Sequence, residues 1–222
     1  MFARILLVGA LLVASLAYFF AAGSDSGSAE VIQREPYIQG RNKTVLMLAN
    51  QEHGLSNVHI ATASALLEHY PDIEVHYASF GTVGRKLERV SSFARKKTPA
   101  AKAIVYHGLK GISYGDSLEK ANWTWEQSIH PVGAAGMGKL AYNMQWWISP
   151  WSADEHWELY QEIGALIDEV DPAVVVIDTI FRPALDATRD KNRLHAFITP
   201  NTLVDNFIGE QPPSTLLWKY PA

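Results

Sequence analysis

The sequence contains no cysteine, which excludes disulfides, thiolate metal sites and a cysteine nucleophile. It also lacks H-E-x-x-H and D-x-D. With both missing and the eight histidines dispersed along the chain, no metal site is expected. Basic charge is not in excess either: the formal net charge is -4 at pH 7 and the pI is near 6.0, so there is no electrostatic footprint for nucleic acid. No internal repeat or low-complexity tract interrupts the sequence.

One long hydrophobic run is present. Ile5 to Gly23 carries no charge, Arg4 precedes it, and the acidic, small-residue stretch SDSGSAE follows. The positive-inside rule then places the body of the chain on the lumenal side of an endomembrane. We read residues 1–23 as a signal anchor, with a cleaved signal peptide and a secreted body as the alternative, since Ala21, Ala22 and Gly23 suit a peptidase. Residues 24–41 are polar, contain Gly27, Pro36 and Gly40 and have no periodicity, so they read as a linker. Residues 42–222 are long enough for one substantial core. Two sequons, Asn42-Lys43-Thr44 and Asn122-Trp123-Thr124, fit a lumenal glycoprotein.

In the body, short apolar runs alternate with helical periodicity. Val45 to Ala49, Ile73 to Phe80, Lys102 to His107, Ala173 to Ile177 and Leu194 to Thr199 read as strands. The helices predicted between them begin at Ser56 or Asn57 and stop at Pro71, span Val83 to Lys97 with a cationic solvated face, span Trp151 to Val170 with Ser152 and Glu155 as a capping box, and start at Pro183. This pattern predicts an α/β fold with a doubly wound parallel sheet. From Gly108 to Pro150 the pattern loosens into an insertion. Of the seven tryptophans, all but Trp218 lie between Trp123 and Trp157, where they either pack as core or line an apolar pocket or membrane-facing surface.

Two residues stand out for chemistry. His53 follows the first strand, at a turn that opens toward the carboxyl end of a parallel sheet, where such folds bind ligands. The positive end of the following helix keeps its imidazole neutral, which is the form a general base needs. Asp178 ends the AVVVI strand on the same edge, where its carboxylate can orient an imidazole across the crevice. The plainer alternatives are a turn histidine bonded to the first helical turn and an aspartate capping the helix near Pro183. Gly133 to Leu140 (GAAGMGKL) approximates a phosphate loop, and Gly136, Gly138 and Ala141 a dinucleotide pattern. Leu140 stands where a magnesium-binding hydroxyl is needed and no strand precedes the glycines, so both are rejected.

The stretches Leu46 to Leu67 and Asp171 to Leu203 resemble the amino-terminal domain of family 1 UDP-glycosyltransferases of the GT-B type, particularly fungal membrane-associated members. The resemblance spans about Leu46 to Val204, with Ser56 in place of the proline common three positions after the histidine. It implies a Rossmann-like acceptor domain in which His53 is the base for an acceptor hydroxyl and Asp178 supports it. Gly54, Leu55, Trp123, Trp125, Trp146 and Trp147 would then line the site for an apolar lipid, sterol or small-molecule acceptor. The resemblance further implies a UDP-sugar as donor, no cofactor held by this chain alone, and a donor-binding half outside the sequence, supplied by a partner chain or by a longer protein. The polypeptide by itself is then expected to be inactive, and a non-catalytic membrane-anchored module is the alternative reading.

Overall fold

The structure is a computed structural model that describes residues 35–81, 83–131 and 133–200. The expected membrane segment, residues 5–23, and the first part of the linker lie outside the described residues, and no helix among those described is long and apolar enough to cross a membrane. The end of the linker is tied to the sheet. Ile38 bridges to Arg193, and the Gly40 N–H donates to the Pro172 carbonyl at 3.0 Å. A Cβ at Gly40 would collide with the Asp171 backbone, so a side chain there would prevent this approach.

Five parallel strands form one sheet in the order β3-β2-β1-β4-β5. They are β1 (Arg41–Leu48), β2 (Glu74–Ser79), β3 (Val105–Gly108), β4 (Pro172–Asp178) and β5 (His195–Ile198). β1 is central and has the apolar run that a strand covered on both faces requires. Leu46 and Leu48 turn toward one layer, Val45 and Met47 toward the other. The register between β1 and β4 shifts between Arg41 and Val45, where Lys43 takes a φ of 61°.

Helices α1 (His53–His69) and α2 (Val83–Lys97) cover the second layer, with Ile60, Ala63, Leu67, Leu87 and Ala94 against Val45, Met47, Val75 and Tyr77. On the other face, α5 (Ala153–Val170) and α6 (Arg182–Asp190) bury Leu159, Ile163, Ile167, Ala184 and Leu185 against Leu46, Leu48, Val175 and Ile177. Helices on both faces make the sheet doubly wound, as the alternation of elements predicted. The capping box at the start of α5 is present, with Ser152 and Glu155 each satisfying the other's backbone N–H.

Several boundaries differ from the sequence reading: β1 starts at Arg41, within the stretch read as linker, and β3 starts at Val105, three residues after its predicted start. α1 begins at His53, three residues before the predicted cap, and no side chain caps it. The irregular insertion is largely helical: α3 (Tyr114–Lys120), a 3-10 turn (Trp125–Ser128) and α4 (Ala134–Ile148). The glycines of GAAGMGKL lie in or next to the first turns of α4. Glycine ranks low as a helix former, so the propensity signal pointed to a loop, and tertiary packing overrides it. Gly136 is buried where a Cβ would clash with the Pro131 carbonyl, a close approach that accounts for one of these glycines.

Leu46 is fully buried in the central strand, so Leu46→Ala should lower unfolding free energy by about 2–5 kcal/mol. Ser152→Ala, which removes only the cap, should cost about 1 kcal/mol. Urea denaturation of both variants checks the ranking.

Candidate functional site

The strand order reverses between β1 and β4, so the chain leaves their adjacent carboxyl ends toward opposite faces and opens a crevice there. β1 and β4 run in register up to Leu48 and Ile177. Just beyond, Asn50 donates to Asp178 Oδ2 twice, from its backbone N–H at 3.2 Å and from Nδ2 at 3.1 Å. The other carboxylate oxygen accepts from the Ile180 N–H at 3.1 Å. Asp178 is almost completely buried, and that burial raises its pKa above the ordinary aspartate value, against the opposing pull of these donors. The bond to Ile180 turns the chain just after the strand. α6 starts later, after Phe181, with no side-chain cap.

His53 is the first residue of α1, on the same edge, and is exposed. Among the described residues its side chain forms no hydrogen bond, and both oxygens of Asp178 are engaged elsewhere. Gly54 beside it is exposed with open space around its Cα, and Leu55 is half-buried. The histidine whose charge acts on Asp178 is His59, one and a half turns further along α1 and fully buried. His59 Nδ1 lies 3.0 Å from the Leu55 carbonyl. A carbonyl can only accept, so Nδ1 carries the proton, and Nε2 is left without a partner among the described residues.

The acidic residue between strand and helix, Glu52, escaped the sequence reading. Its carboxyl turns inward: Oε1 accepts from the Gly115 N–H at 2.7 Å, and Oε2 is shielded from solvent without a partner among the described residues. A Cβ at Gly115 would lie 2.9 Å from Oε1, so the approach depends on that glycine. Burial raises the Glu52 pKa above its ordinary value, and the nearby charges of Asp178 and Asp116 raise it further. Gln51 Nε2 donates to Ser113 Oγ at 2.9 Å, a second tie between the β1–α1 turn and the start of α3. The available signal was position alone, a carboxylate at a strand end next to a histidine.

A cavity of about 380 Å³ opens beside Glu52, walled by Tyr114, Gly115, Leu118, Asn122 and Trp123. The sequon residue Asn122 thus stands at the same wall, whereas Asn42 is exposed at the start of β1. A second cavity of about 380 Å³ lies between α3 and α5, lined by Ser117, Lys120, Gln145, Trp146, Trp151 and Glu155. The expected aromatic wall is therefore divided: Trp123 faces one cavity and Trp146 the other, while Trp147 is half-buried against the core. The Trp125 side chain lies outside the described residues. Tyr114 joins the parts, donating to the Trp147 carbonyl at 2.9 Å, and burial pushes its phenol up to about 12.

No family model matches the sequence. The chain is similar to the glycosyltransferase sdnJ of Sordaria araneosa, 26% identical over 196 residues that make up 83% of this chain and 37% of that protein. It thus spans a little over a third of the length of the relative it matches. Among solved structures, the glycotransferase of kitacinnamycin matches 84% of this chain and 36% of its own at 13% identity, with a TM-score of 0.38. The C-terminal domain of the PF1911 hydrogenase of Pyrococcus furiosus matches 73% of this chain and 96% of its own at 11% identity, with a TM-score of 0.37. Structural likenesses this distant carry no argument about activity.

Glu52 and Asp178 both have raised pKa values. The folded state therefore binds more protons than the unfolded state as pH falls from 7 toward the ordinary Glu value of about 4.3, and their contribution to stability rises over that window. Glu52→Gln keeps an acceptor for the Gly115 N–H but cannot titrate. Its urea midpoint at pH 7 should be at or above wild type, and the change in midpoint between pH 7 and pH 5 should shift in the direction of lost acid stabilisation.

Proposed function

We propose that this chain is the acceptor-binding part of a glycosyltransferase that transfers a hexosyl group from a UDP-sugar to a hydroxyl of an apolar lipid, sterol or small molecule. The observation that carries this reading is the likeness to the Sordaria glycosyltransferase over most of the chain. It is supported by the placement of His53 and Asp178 on one edge of a parallel sheet, at the point where strand order reverses. In this reading the donor-binding half is contributed from outside the sequence, in line with the large part of the relative that the match leaves uncovered. The acceptor enters the crevice beside the β1–α1 turn and uses the cavity walled by Tyr114, Leu118 and Trp123.

His53 is the base in this scheme. It stands at the N-terminus of α1, and its exposure leaves the ring accessible to an acceptor hydroxyl. The hydroxyl proton passes to the imidazole as its oxygen attacks the anomeric carbon and the UDP leaving group departs. Asp178 acts from beneath as a positioning residue: it fixes Asn50, and through it the exit of β1, so that the His53 backbone is placed at the crevice. Residues 5–23 anchor the body on the lumenal side, and Asn42 and Asn122 are the sites that location would glycosylate.

In a protein that also contains the donor-binding half, His53→Ala should lower turnover by a factor on the order of 10² to 10⁴. Unchanged turnover would remove His53 from the mechanism. Calorimetry of the present chain with UDP-glucose should show no binding, because its one glycine-rich phosphate-loop candidate is the start of α4. Micromolar affinity would mean that the donor site lies within this sequence.

A further inference from the structure

Away from the crevice, three titratable side chains form a line across the edge of the sheet. His76 on β2 and His107 on β3 point to the same face, because β2–β3 register pairs His76 with Val105 and Ala78 with His107. His76 Nδ1 and His107 Nε2 are 2.9 Å apart, and the other nitrogen of His76 is 2.9 Å from Glu74 Oε1. The two ring centres are 5.2 Å apart with 15° between the planes. That separation equals the nitrogen–nitrogen distance plus about one ring radius on each side, so both ring centres and both nitrogens lie on one line. The rings are therefore nearly coplanar and end to end, the geometry of an in-line N–H···N hydrogen bond. A metal ion bound by both lone pairs would have to lie off that line.

The proton count follows from the partners. Glu74 is held below its ordinary pKa first by its hydrogen bond to His76, and also by the charges of His76, Arg41 and Lys102. Its carboxylate accepts from His76 Nε2, which therefore carries a proton. Between Nδ1 of His76 and Nε2 of His107 one hydrogen is required and a second cannot fit. With both imidazoles neutral, His107 donates. With one proton added, His76 becomes an imidazolium paired to Glu74, and His107 changes tautomer and accepts. With a second proton added, two N–H groups face each other at 2.9 Å and two cations stand side by side.

We propose that Glu74, His76 and His107 form a proton-operated latch on edge strand β3, closed while the histidine pair holds at most one extra proton and opened by the second. β3 is short, and within the described sheet it pairs with β2 alone. The backbone that follows it is fixed by the Leu109 N–H to the Ser79 carbonyl at 2.9 Å and then runs to Ser113 and Gly115, which hold Gln51 and Glu52. Release of β3 therefore loosens the wall of the cavity beside Glu52. The charged groups facing the pair are Glu74 and Lys102, 3.8 Å apart, Arg41 near Glu74, and Glu169 of α5, whose charge acts on His107. Burial and the charge of His76 lower the His107 pKa, and Glu169 opposes them without reversing the direction. A histidine whose folded pKa is depressed contributes stability that is lost as pH falls below the ordinary value of about 6.5, which is the direction the latch needs.

Amide hydrogen exchange of the purified chain, read by mass spectrometry at pH 7.5 and pH 5.0 and corrected for intrinsic exchange, tests the latch. Residues 105–115 should lose protection at the lower pH, with β4 unchanged as the internal reference. In His107→Gln, which cannot take the second proton, that pH-dependent loss should vanish. Equal protection at both pH values, or the same loss in the variant, would overturn the proposal. Should the variant not fold, the imidazole ¹⁵N shifts of wild type decide: they should show two separated protonation steps, with β3 amide shifts moving only at the second. A single joint step, or β3 shifts that follow the first, would equally overturn it.

Discussion

The carboxyl edge of this sheet depends on one buried connection, the pair of hydrogen bonds from Asn50 to Asp178. Each residue follows or ends a strand of the central pair, and neither could stay buried without the other. A carboxylate taken out of water needs donors, and Asp178 finds them in Asn50 and in the Ile180 N–H. In return Asp178 fixes where β1 ends, and with it the direction in which Gln51, Glu52 and His53 leave the sheet.

From that turn two ties run outward to the start of α3, Gln51 to Ser113 and Glu52 to Gly115. They connect the crevice to the insertion, which the pattern of apolar residues left undefined. α3 then supplies Tyr114 and Leu118 to the cavity wall, and Tyr114 reaches across to α4 through the Trp147 carbonyl. The insertion is thus a helical layer anchored at its near end by side chains of the first strand-to-helix turn. Its tryptophans divide between two cavities and the core because α3 stands between them, with one cavity on either side.

Acid groups dominate the inner part of this region. Glu52 lies close enough to Asp178 for that charge to raise its cost of ionisation, while the charge of His59 acts in the opposite direction on Asp178. The outer group, His53, stands clear of that network. The site therefore separates a buried layer that sets geometry from an exposed imidazole that is free to meet a ligand. The histidines on β2 and edge strand β3 are arranged differently, end to end on neighbouring strands.

Much of the fold was legible because it follows from local burial. The apolar run of β1, the β-branched run of β4, the helical spacing of α2 and the Ser152–Glu155 cap each record their own environment within a few residues, and all appear where their patterns placed them. The positions of His53 and Asp178 at strand ends were legible for the same reason. Their partners were not: Asp178 meets Asn50 across a separation of 128 positions, and Glu52 meets Gly115 across 63. The sequence by itself determined the five strands, the helices α1, α2, α5 and α6, and which edge carries the polar turns, because hydrophobic periodicity is a local record of which face is covered. Only the tertiary structure decided that Asp178 binds Asn50 in place of His53, that Glu52 turns inward and that two histidines meet in line, because those contacts depend on strand order and register, which periodicity does not encode.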